Sequence, residues 1–211
     1  MIVYDIEIQN PPVANPKKKG DYKIANGWED YKGMGIACAV FYDMQRDLIR
    51  IYKDNLPTKE LHEIVNSADI LVGYNNRRFD DNLLRSMDCN VPLHKSYDIL
   101  HQFYMAKGLS EEWNPRTHGG YSLDKMCMKN LNMEKAKSGS GADAPYLWQD
   151  GKRQEVIDYC INDVMITAKL LSKIFELGGL HDCKTKAGKF YKMPLPYISF
   201  GGLDGLKRAV L

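Results

Sequence analysis

The stretch that decides the fold is Ile2-Val3-Tyr4-Asp5-Ile6-Glu7-Ile8, close to the start of the chain. Its isoleucines and valine favour a β-strand, which Asn10-Pro11-Pro12 ends. Asp5 and Glu7 stand two positions apart, so their carboxylates leave one face of the strand about 7 Å apart. Charged side chains rarely enter an apolar strand unless they are paired or bind a metal. The stretch therefore indicates either a metal site or an edge strand with a solvated acidic face, and alone it supports both equally.

The composition predicts one well-packed domain, or one domain with an appendage. The 211 residues are 44% hydrophobic, and 29 basic against 27 acidic side chains leave a net charge of +2. Five cysteines are scattered singly, which argues against a disulfide framework and a zinc knuckle. No signal peptide or membrane-spanning apolar run is visible, so we expect a cytoplasmic protein, or one in the nucleic-acid-containing compartment of its cell, that is not secreted.

The order of the predicted elements indicates an α/β fold. Residues 35–42 and 48–52 have the pattern of a strand hairpin, which makes an antiparallel meander if the first strand lies beside it. A short helix then precedes a strand at residues 69–74, which can run parallel to the first strand. A further short strand is predicted near residues 96–100.

Residues 153–177 predict a long helix that is apolar on two sides. Ile157, Cys160 and Val164 point in one direction, while Tyr159 and Asp163 lie on the opposite side with further apolar residues. Both sides of this helix are therefore expected to be partly buried. A carboxylate buried in such a place needs a partner.

Two segments lack a regular pattern. Residues 9–34 form a long loop that combines the cluster Lys17, Lys18 and Lys19 with dispersed aromatic residues. These side chains could bind nucleic acid by stacking and charge, or the loop could fold back onto the domain, and both interpretations stay open. Residues 178–211 are basic and rich in glycine and proline, which predicts an irregular C-terminal extension; such charge runs are more often solvated loops than binding sites.

Four acidic residues occupy places where burial is expected. Asp5 and Glu7 lie in the first strand, Asp80 lies at the start of a helix, and Asp163 lies inside the long helix. Together they would form a cluster too negative to remain without a cation. Carboxylates of this kind bind hard divalent cations such as Mg²⁺, and two such ions about 4 Å apart can serve a phosphodiester displacement.

The same residues resemble three motifs of a known family. Asp5-x-Glu7, Asn75-x-x-x-Phe79-Asp80 and Tyr159-x-x-x-Asp163 look like the motifs of the DEDDy 3′–5′ exonucleases, in the DnaQ-like, RNase H-like superfamily. The nearest similarity is to the proofreading exonuclease domain of family-B DNA polymerases. The resemblance covers about residues 1–177, and it rests on the order and spacing of the three motifs. It implies a mixed five-stranded RNase H-like sheet, with the first three strands antiparallel and helices on both faces.

The resemblance also implies a role for each motif residue. Asp5, Glu7, Asp80 and Asp163 would hold two Mg²⁺ or Mn²⁺ ions, one to activate the attacking water and one to stabilise the leaving 3′ oxygen. Tyr159 would orient the water through its hydroxyl. Asn75 and Phe79 would help to place the terminal nucleotide, and Lys17, Lys18 and Lys19 are candidates for binding its phosphates.

The expected function is metal-dependent 3′–5′ hydrolysis of single-stranded DNA to nucleoside monophosphates. It would be carried by an exonuclease domain at residues 1–177, with residues 178–211 as the extension. Two alternatives stay open: an exoribonuclease that uses the same site, and a non-catalytic nucleic-acid-binding protein that kept the fold. A further interpretation, a metal-binding protein of another purpose, explains the acids but not the spacing of Asn75, Phe79 and Tyr159.

Overall fold

A computed structural model of the chain describes residues 1–54, 58–133 and 140–196. The strands are β1 (Ile2–Ile8), β2 (Ile36–Asp43), β3 (Leu48–Lys53), β4 (Leu71–Gly73), β5 (Ser96–Asp98), β6 (Gly179–His181) and β7 (Phe190–Lys192). The helices are α1 (Tyr31–Met34), α2 (Thr58–Ser67), α3 (Asp80–Ser86), α4 (Ile99–Ala106), α5 (Leu123–Leu131), α6 (Ala144–Gln149) and α7 (Arg153–Leu177).

The main sheet has five strands in the order β3-β2-β1-β4-β5. β1 pairs antiparallel with β2, and β2 pairs antiparallel with β3. β1 also pairs in parallel with β4, which pairs in parallel with β5. The predicted α/β architecture with a mixed five-stranded sheet is therefore confirmed. β1 has a neighbour on each side, so it is a central strand and not the edge strand that the solvated-face interpretation required.

The two faces of the sheet carry separate cores because strand side chains alternate between faces. On one face, Ile2, Tyr4 and Ile6 of β1 pack with residues of α2 and α3, such as Leu61 and Leu83. On the other face, Val3 packs with residues of α4, α5 and α7, such as Phe103, Met126 and Val164. Helices thus cover both faces, and the odd-numbered residues of β1 face α7.

The longest helix, α7, is buried on two sides as its sequence pattern predicts. Its buried residues include Ile157 and Cys160 as well as Asp163 and Ile166. The helix ends at Gly178, whose φ of 75° places it in the left-handed region that terminates helices and that glycine adopts without strain. Because α7 packs against β1 and β2, it carries Asp163 to the strand that holds Asp5 and Glu7.

The loop between β1 and α1 folds back onto α6. The Tyr146 hydroxyl accepts a hydrogen bond from the Asn15 backbone at 2.8 Å, and the Tyr22 ring packs edge-on against Tyr146 at 4.8 Å. The Gln149 side chain accepts from the Lys23 backbone N–H at 2.8 Å and donates to the Lys23 carbonyl at 3.0 Å. Of the two interpretations of this loop, folding back onto the domain is what these contacts show, and they leave its lysine cluster at the surface.

The prediction that the chain is irregular after residue 177 is wrong for residues 179–192. β6 and β7 form an antiparallel hairpin, with Leu180 and Met193 buried in the core beside α7. Asn130 of α5 fixes the hairpin, because its side chain accepts from the His181 N–H at 2.7 Å and donates to the His181 carbonyl at 3.1 Å. Strands of three residues carry too little sequence pattern to be recognised without these tertiary contacts. Residues 197–211, the rest of the predicted extension, lie outside the described residues.

None of the helices in the described part of the chain combines the length and the apolar character that a membrane span requires.

Candidate functional site

Strand β1 presents Asp5 and Glu7 toward α7. They share the strand face of Val3, which belongs to the core under that helix. Glu7 is buried, with 7% of its surface exposed, and Asp5 is half-buried. β1 pairs with the apolar strands β2 and β4, and this pairing fixes the direction of the two acidic side chains. A shift of one residue in the register would turn the apolar residues of β1 away from their cores.

The long helix adds the third carboxylate. Asp5, Glu7 and Asp163 each place one oxygen so that all three oxygens lie within 4.8 Å of one another. One turn earlier, the Cys160 thiol donates to the Asp5 carbonyl at 3.3 Å and lies 3.5 Å from Asp5 Oδ2. Three carboxylate oxygens at this separation form a donor set that suits a hard divalent cation. We call these three residues the acid cluster.

Asp80 lies beside the acid cluster but outside the group of three close oxygens. It is the first residue of α3, is 4% exposed, and accepts a hydrogen bond from the Ile6 backbone N–H at 2.9 Å. This bond joins the start of α3 to the strand residue between Asp5 and Glu7. All four predicted acids therefore converge on one end of β1, with Asp80 bound to its backbone.

The electrostatics of this end of β1 oppose ionisation of its buried acids. Burial, followed by the charges of Asp5 and Asp163, raises the pKa of Glu7 well above its ordinary value. Burial, followed by the charges of Asp5 and Asp81, does the same to the pKa of Asp80. A bound cation would reverse this effect, since it favours the ionised form of each carboxylate.

Asp81 follows Asp80 directly and belongs to a different network. Its carboxylate accepts hydrogen bonds from the Tyr4 hydroxyl, from Ser96 Oγ at 2.7 Å and from Asn76 Nδ2 at 3.3 Å. Tyr4 lies on the sheet face opposite Asp5, because it precedes Asp5 in the strand. The Phe79-Asp80 pairing of the second motif favoured Asp80 over its neighbour, and the structure places Asp80, not Asp81, next to the acid cluster.

The segment that carries the second motif is held by Asp98, at the end of β5. The Asp98 carboxylate accepts from the backbone N–H groups of Asn75 at 2.9 Å, Arg77 at 3.2 Å and His101 at 3.1 Å. Asn75 has a φ of 68°, a left-handed conformation that asparagine tolerates better than most residues. Asp98 is thus a positioning residue, in agreement with the structural role that the family resemblance suggests for an acidic residue at this strand position.

Phe79, also in the second motif, lies just before α3. It is half-buried against the core under α2 and α3, and its ring meets the Tyr31 ring edge-on at 6.4 Å between centroids. Tyr31 in turn bonds through its hydroxyl to the Arg78 carbonyl at 3.2 Å. Phe79 therefore has a packing role in this structure, and a role in placing a nucleotide stays a prediction.

Tyr159 lies one helical turn before Asp163 and lines a cleft of about 550 Å³. Lys18, Ser140, Asp143 and Asp158 line the same cleft, so it lies between the loop after β1 and the start of α7. The tyrosine hydroxyl also lies near the loop before α6, since a methyl group on Gly141 would be 3.5 Å from its oxygen.

The lysine cluster meets this cleft through one of its three members. Lys18 forms an ion pair with Asp143 at 2.6 Å, and its ammonium lies 5.6 Å from the centre of the Tyr146 ring. Lys17 and Lys19 are exposed. The structure thus brings Lys18 to the cleft beside Tyr159, whereas nucleic-acid binding by Lys17 and Lys19 stays a prediction.

Two cysteines lie next to the acid cluster, and the sequence did not predict their position there. Cys38 of β2 stands opposite Glu7 in the antiparallel register, and Cys160 of α7 contacts Asp5. Burial, followed by a hydrogen bond with Cys38, raises the pKa of the Cys160 thiol well above its ordinary value. Both thiols are fully buried and therefore fill the space beneath the acids as small apolar groups. Single, scattered cysteines gave no sequence signal for this position.

Comparison with known proteins adds no family to this description. No protein-family model matches the chain, and no curated protein matches it.

Proposed function

We propose that the chain is a metal-dependent 3′–5′ exonuclease that hydrolyses single-stranded DNA to nucleoside monophosphates. The observation that carries the proposal is the acid cluster, in which oxygens of Asp5, Glu7 and Asp163 lie within 4.8 Å of one another. Asp80 beside it and Tyr159 one turn before Asp163 complete the set of residues that the exonuclease resemblance requires.

The donor set suits two Mg²⁺ or Mn²⁺ ions. Both prefer carboxylate oxygens, and the carboxylates that neighbour Glu7 and Asp80 create a negative potential that a bound cation would offset. Asp5, Glu7, Asp80 and Asp163 would hold the ions. When bound, such ions supply an activated water and charge stabilisation at the leaving oxygen of a phosphodiester.

The arrangement of the sheet supports the same proposal. Strand order β3-β2-β1-β4-β5, with an antiparallel half and a parallel half that meet at β1, is what an RNase H-like fold requires. In that fold the acids come from the first strand and from helices packed near its end. We include the RNase H-like fold in the proposal. Because one fold can serve many functions, the topology supports the nuclease activity only together with the acid cluster.

The remaining residues have roles that follow from their positions. The cleft beside Tyr159 has the size of a small-molecule site and would receive the 3′-terminal nucleotide. Lys18, at the cleft, would bind a phosphate by exchanging its ion pair with Asp143 for the new anion. The Tyr159 hydroxyl would hold the attacking water by a hydrogen bond, while Asn75, fixed by Asp98, and Phe79 would border the terminal nucleotide.

The direct test is digestion of a single-stranded oligonucleotide that carries a 5′ label. We expect stepwise shortening from the 3′ end with Mg²⁺ or Mn²⁺ and none with a chelator. Asp163→Asn should reduce the rate by at least about 10²-fold, the scale of a lost electrostatic contact to a transition state. Glu176→Gln is the matched control, because it makes the same carboxylate-to-amide change at an exposed ion pair of the same helix.

The outcome separates the proposal from its alternatives. Faster shortening of a matched RNA than of the DNA would identify an exoribonuclease. Binding of either strand without shortening at saturating Mn²⁺ would identify a non-catalytic binding protein. If folded protein neither binds nor shortens any of these substrates, the proposed function is wrong.

A further inference from the structure

The β6–β7 hairpin is a docked element that displays lysines from a fixed backbone. Leu180 and Met193 anchor it in the core, and the Tyr97 hydroxyl donates to the Pro194 carbonyl at 2.8 Å. Beyond this anchored base, the side chains of Lys184, Lys186, Lys189 and Lys192 are exposed. We call these four lysines the basic hairpin surface. Their positions are set by the core, so they can form a defined interaction surface.

The positive charge of this surface is not neutralised locally. Among the described residues, no carboxylate forms an ion pair with any of the four lysines. The one acid in the hairpin, Asp182, is buried, and Lys107 of the segment after α4 already holds it at 2.5 Å. Four uncompensated ammonium groups on one small element create a field that attracts a polyanion.

Aromatic rings lie among these lysines. The Lys184 ammonium lies 4.3 Å from the centre of the Tyr121 ring, and the Lys189 ammonium lies 5.1 Å from the centre of the Tyr191 ring. Lys184 also donates to the Thr117 carbonyl at 3.1 Å. These neutral contacts hold the side chains in place while leaving their charge available to a phosphate.

A chain of contacts joins this surface to the candidate site. Tyr121, under Lys184, accepts a hydrogen bond through its carbonyl from the Tyr74 hydroxyl at 2.8 Å. Tyr74 directly precedes Asn75 at the end of β4, where the second motif begins. These contacts connect the support of Lys184 to the segment in which the second motif begins.

We propose that the basic hairpin surface binds the phosphate backbone of single-stranded DNA several nucleotides before the 3′ end that enters the acid cluster. The inference rests on the proposed function for the identity of the polyanion. Its role is to hold the strand between successive cleavages, because it contacts phosphates that are remote from the scissile bond. A strand too short to reach the hairpin gains nothing from it.

The test compares two triple variants of the Asp163→Asn protein, in which the proposed cleavage is absent and binding can be measured. Lys186→Gln, Lys189→Gln and Lys192→Gln remove charge from the hairpin. Lys53→Gln, Lys59→Gln and Lys169→Gln remove the same charge from exposed lysines elsewhere. Thermal unfolding of both variants checks that they fold.

Binding is measured against salt concentration for oligonucleotides of about 20 and about four nucleotides. We expect the hairpin variant to lose affinity for the longer strand only and to lower its salt slope by about 2, since each phosphate contact contributes about 0.7 on single strands. Equal losses in the two variants, or equal losses on both strand lengths, would overturn the inference. So would hairpin-dependent binding to anionic lipid vesicles without hairpin-dependent binding to DNA.

Failure of this inference can be told from failure of the proposed function. Cleavage by the wild-type protein reports on the acid cluster, and the salt slope reports on the hairpin. If the wild-type protein cleaves DNA but the two triple variants bind it equally well, only the inference about the hairpin is wrong. Absence of both cleavage and DNA binding removes both proposals.

Discussion

Two buried groups of charges in this protein have opposite electrostatics. Asp182 lies under the hairpin with Lys107 at 2.5 Å and the Tyr121 hydroxyl at 3.1 Å. Burial alone would raise its pKa, but hydrogen bonds from Lys107, the Lys184 backbone N–H and Tyr121 hold it below its ordinary value of 3.8. At the end of β1, burial and neighbouring carboxylates instead raise the pKa of Glu7 and Asp80. The first group pairs an acid with a lysine, whereas in the second the neighbouring charges that raise the pKa of Glu7 and Asp80 are those of other carboxylates.

The difference indicates which group is structural. A buried ion pair is complete within the protein and binds the hairpin to the rest of the chain. A cluster of like charges costs free energy in the folded state, and such a cost persists most often where a ligand relieves it. The comparison therefore predicts that an added cation changes the acid cluster and leaves the Asp182 group unaffected.

The largest expected effect is stabilisation by metal. At a metal concentration of about 100 times the dissociation constant, binding to the folded state adds about 2.7 kcal/mol to the free energy of unfolding. For a chain of this length that raises the melting temperature by about 5–10 °C. Thermal unfolding with Mg²⁺, Mn²⁺ or a chelator measures it.

Asp5→Asn is the matching variant for this measurement. It should abolish the metal-induced rise while leaving the metal-free melting temperature equal or higher, because it removes a like charge from beside Glu7 and Asp80. If metal raises the melting temperature of Asp5→Asn as much as that of the wild type, the metal binds at another site. Asp182→Asn should keep the full rise and lower the metal-free value.

The next largest effect is expected from breaking the ion pair between Lys107 and Asp182. Lys107→Met leaves the Asp182 carboxylate buried without its cation, which should lower the free energy of unfolding by about 2 kcal/mol. Breaking a fully buried pair costs ~3–5 kcal/mol, and the loss is smaller here because the Lys107 side chain is 21% exposed. Urea unfolding measures the change. Lys173→Met, which breaks an exposed pair with Glu176, is the control and should change little.

The loss in Lys107→Met should depend on pH in a defined direction. The pKa of Asp182 is lowered by folding, so its contribution is complete above its ordinary pKa of 3.8 and is lost as pH falls through the lowered value. Hydrogen bonds to Asp182 and Tyr121 raise the pKa of Lys107 to about 12 against the effect of burial, so its contribution is lost only as pH rises through that value. A difference from wild type that grows on acidification would contradict this account.

A smaller effect is expected from Tyr159→Phe. Loss of one hydroxyl hydrogen bond to the attacking water should lower kcat about 10-fold, equivalent to about 1.4 kcal/mol, with little change in KM. Steady-state digestion of the labelled oligonucleotide separates the two constants. Tyr42→Phe removes a hydroxyl bonded to Asp47 on the far hairpin and should leave both unchanged. A rise in KM alone would mean that Tyr159 binds the nucleotide and does not orient water.

The smallest expected effect is on stability in Lys18→Met. This variant breaks the ion pair with Asp143, but the two side chains are 33% and 40% exposed, and water replaces most of the lost interaction. Its melting temperature should stay close to that of the wild type. A loss as large as that of Lys107→Met would show that exposure does not distinguish the two ion pairs.

The long elements of the fold could be predicted because their residues carry a repeated pattern. The first strand, β2 and α7 are buried as their apolar patterns predict, whereas β3 pairs with β2 although Leu48, Ile49 and Ile51 stay exposed. The short strands β6 and β7 could not be predicted, because their stability comes from Asn130 and from burial of Leu180 beside α7, contacts that are distant in sequence. The same holds for the docking of the long loop onto Tyr146.

The convergence of the four acids could be predicted, and their supporting residues only in part. Asp5, Glu7 and Asp163 interrupt apolar elements, and Asp80 stands at the start of a helix within the second motif. Asp98 and Cys160 support those residues through backbone contacts, to the N–H of Asn75 and the carbonyl of Asp5. Asp98 was marked by its acidic side chain at a strand end, whereas a thiol contact to a backbone carbonyl has no sequence signal, so the sequence did not identify Cys160.

The contact between Asp5 and Cys160 joins residues 155 positions apart. Closing a loop of this length costs chain entropy, and the contact cannot form before Cys160 has been synthesised. During synthesis, the acids of β1 therefore remain separate and hydrated until α7 has been made. The nascent protein cannot assemble the proposed metal site early, and the capacity to bind metal there would mark completion of the folded domain.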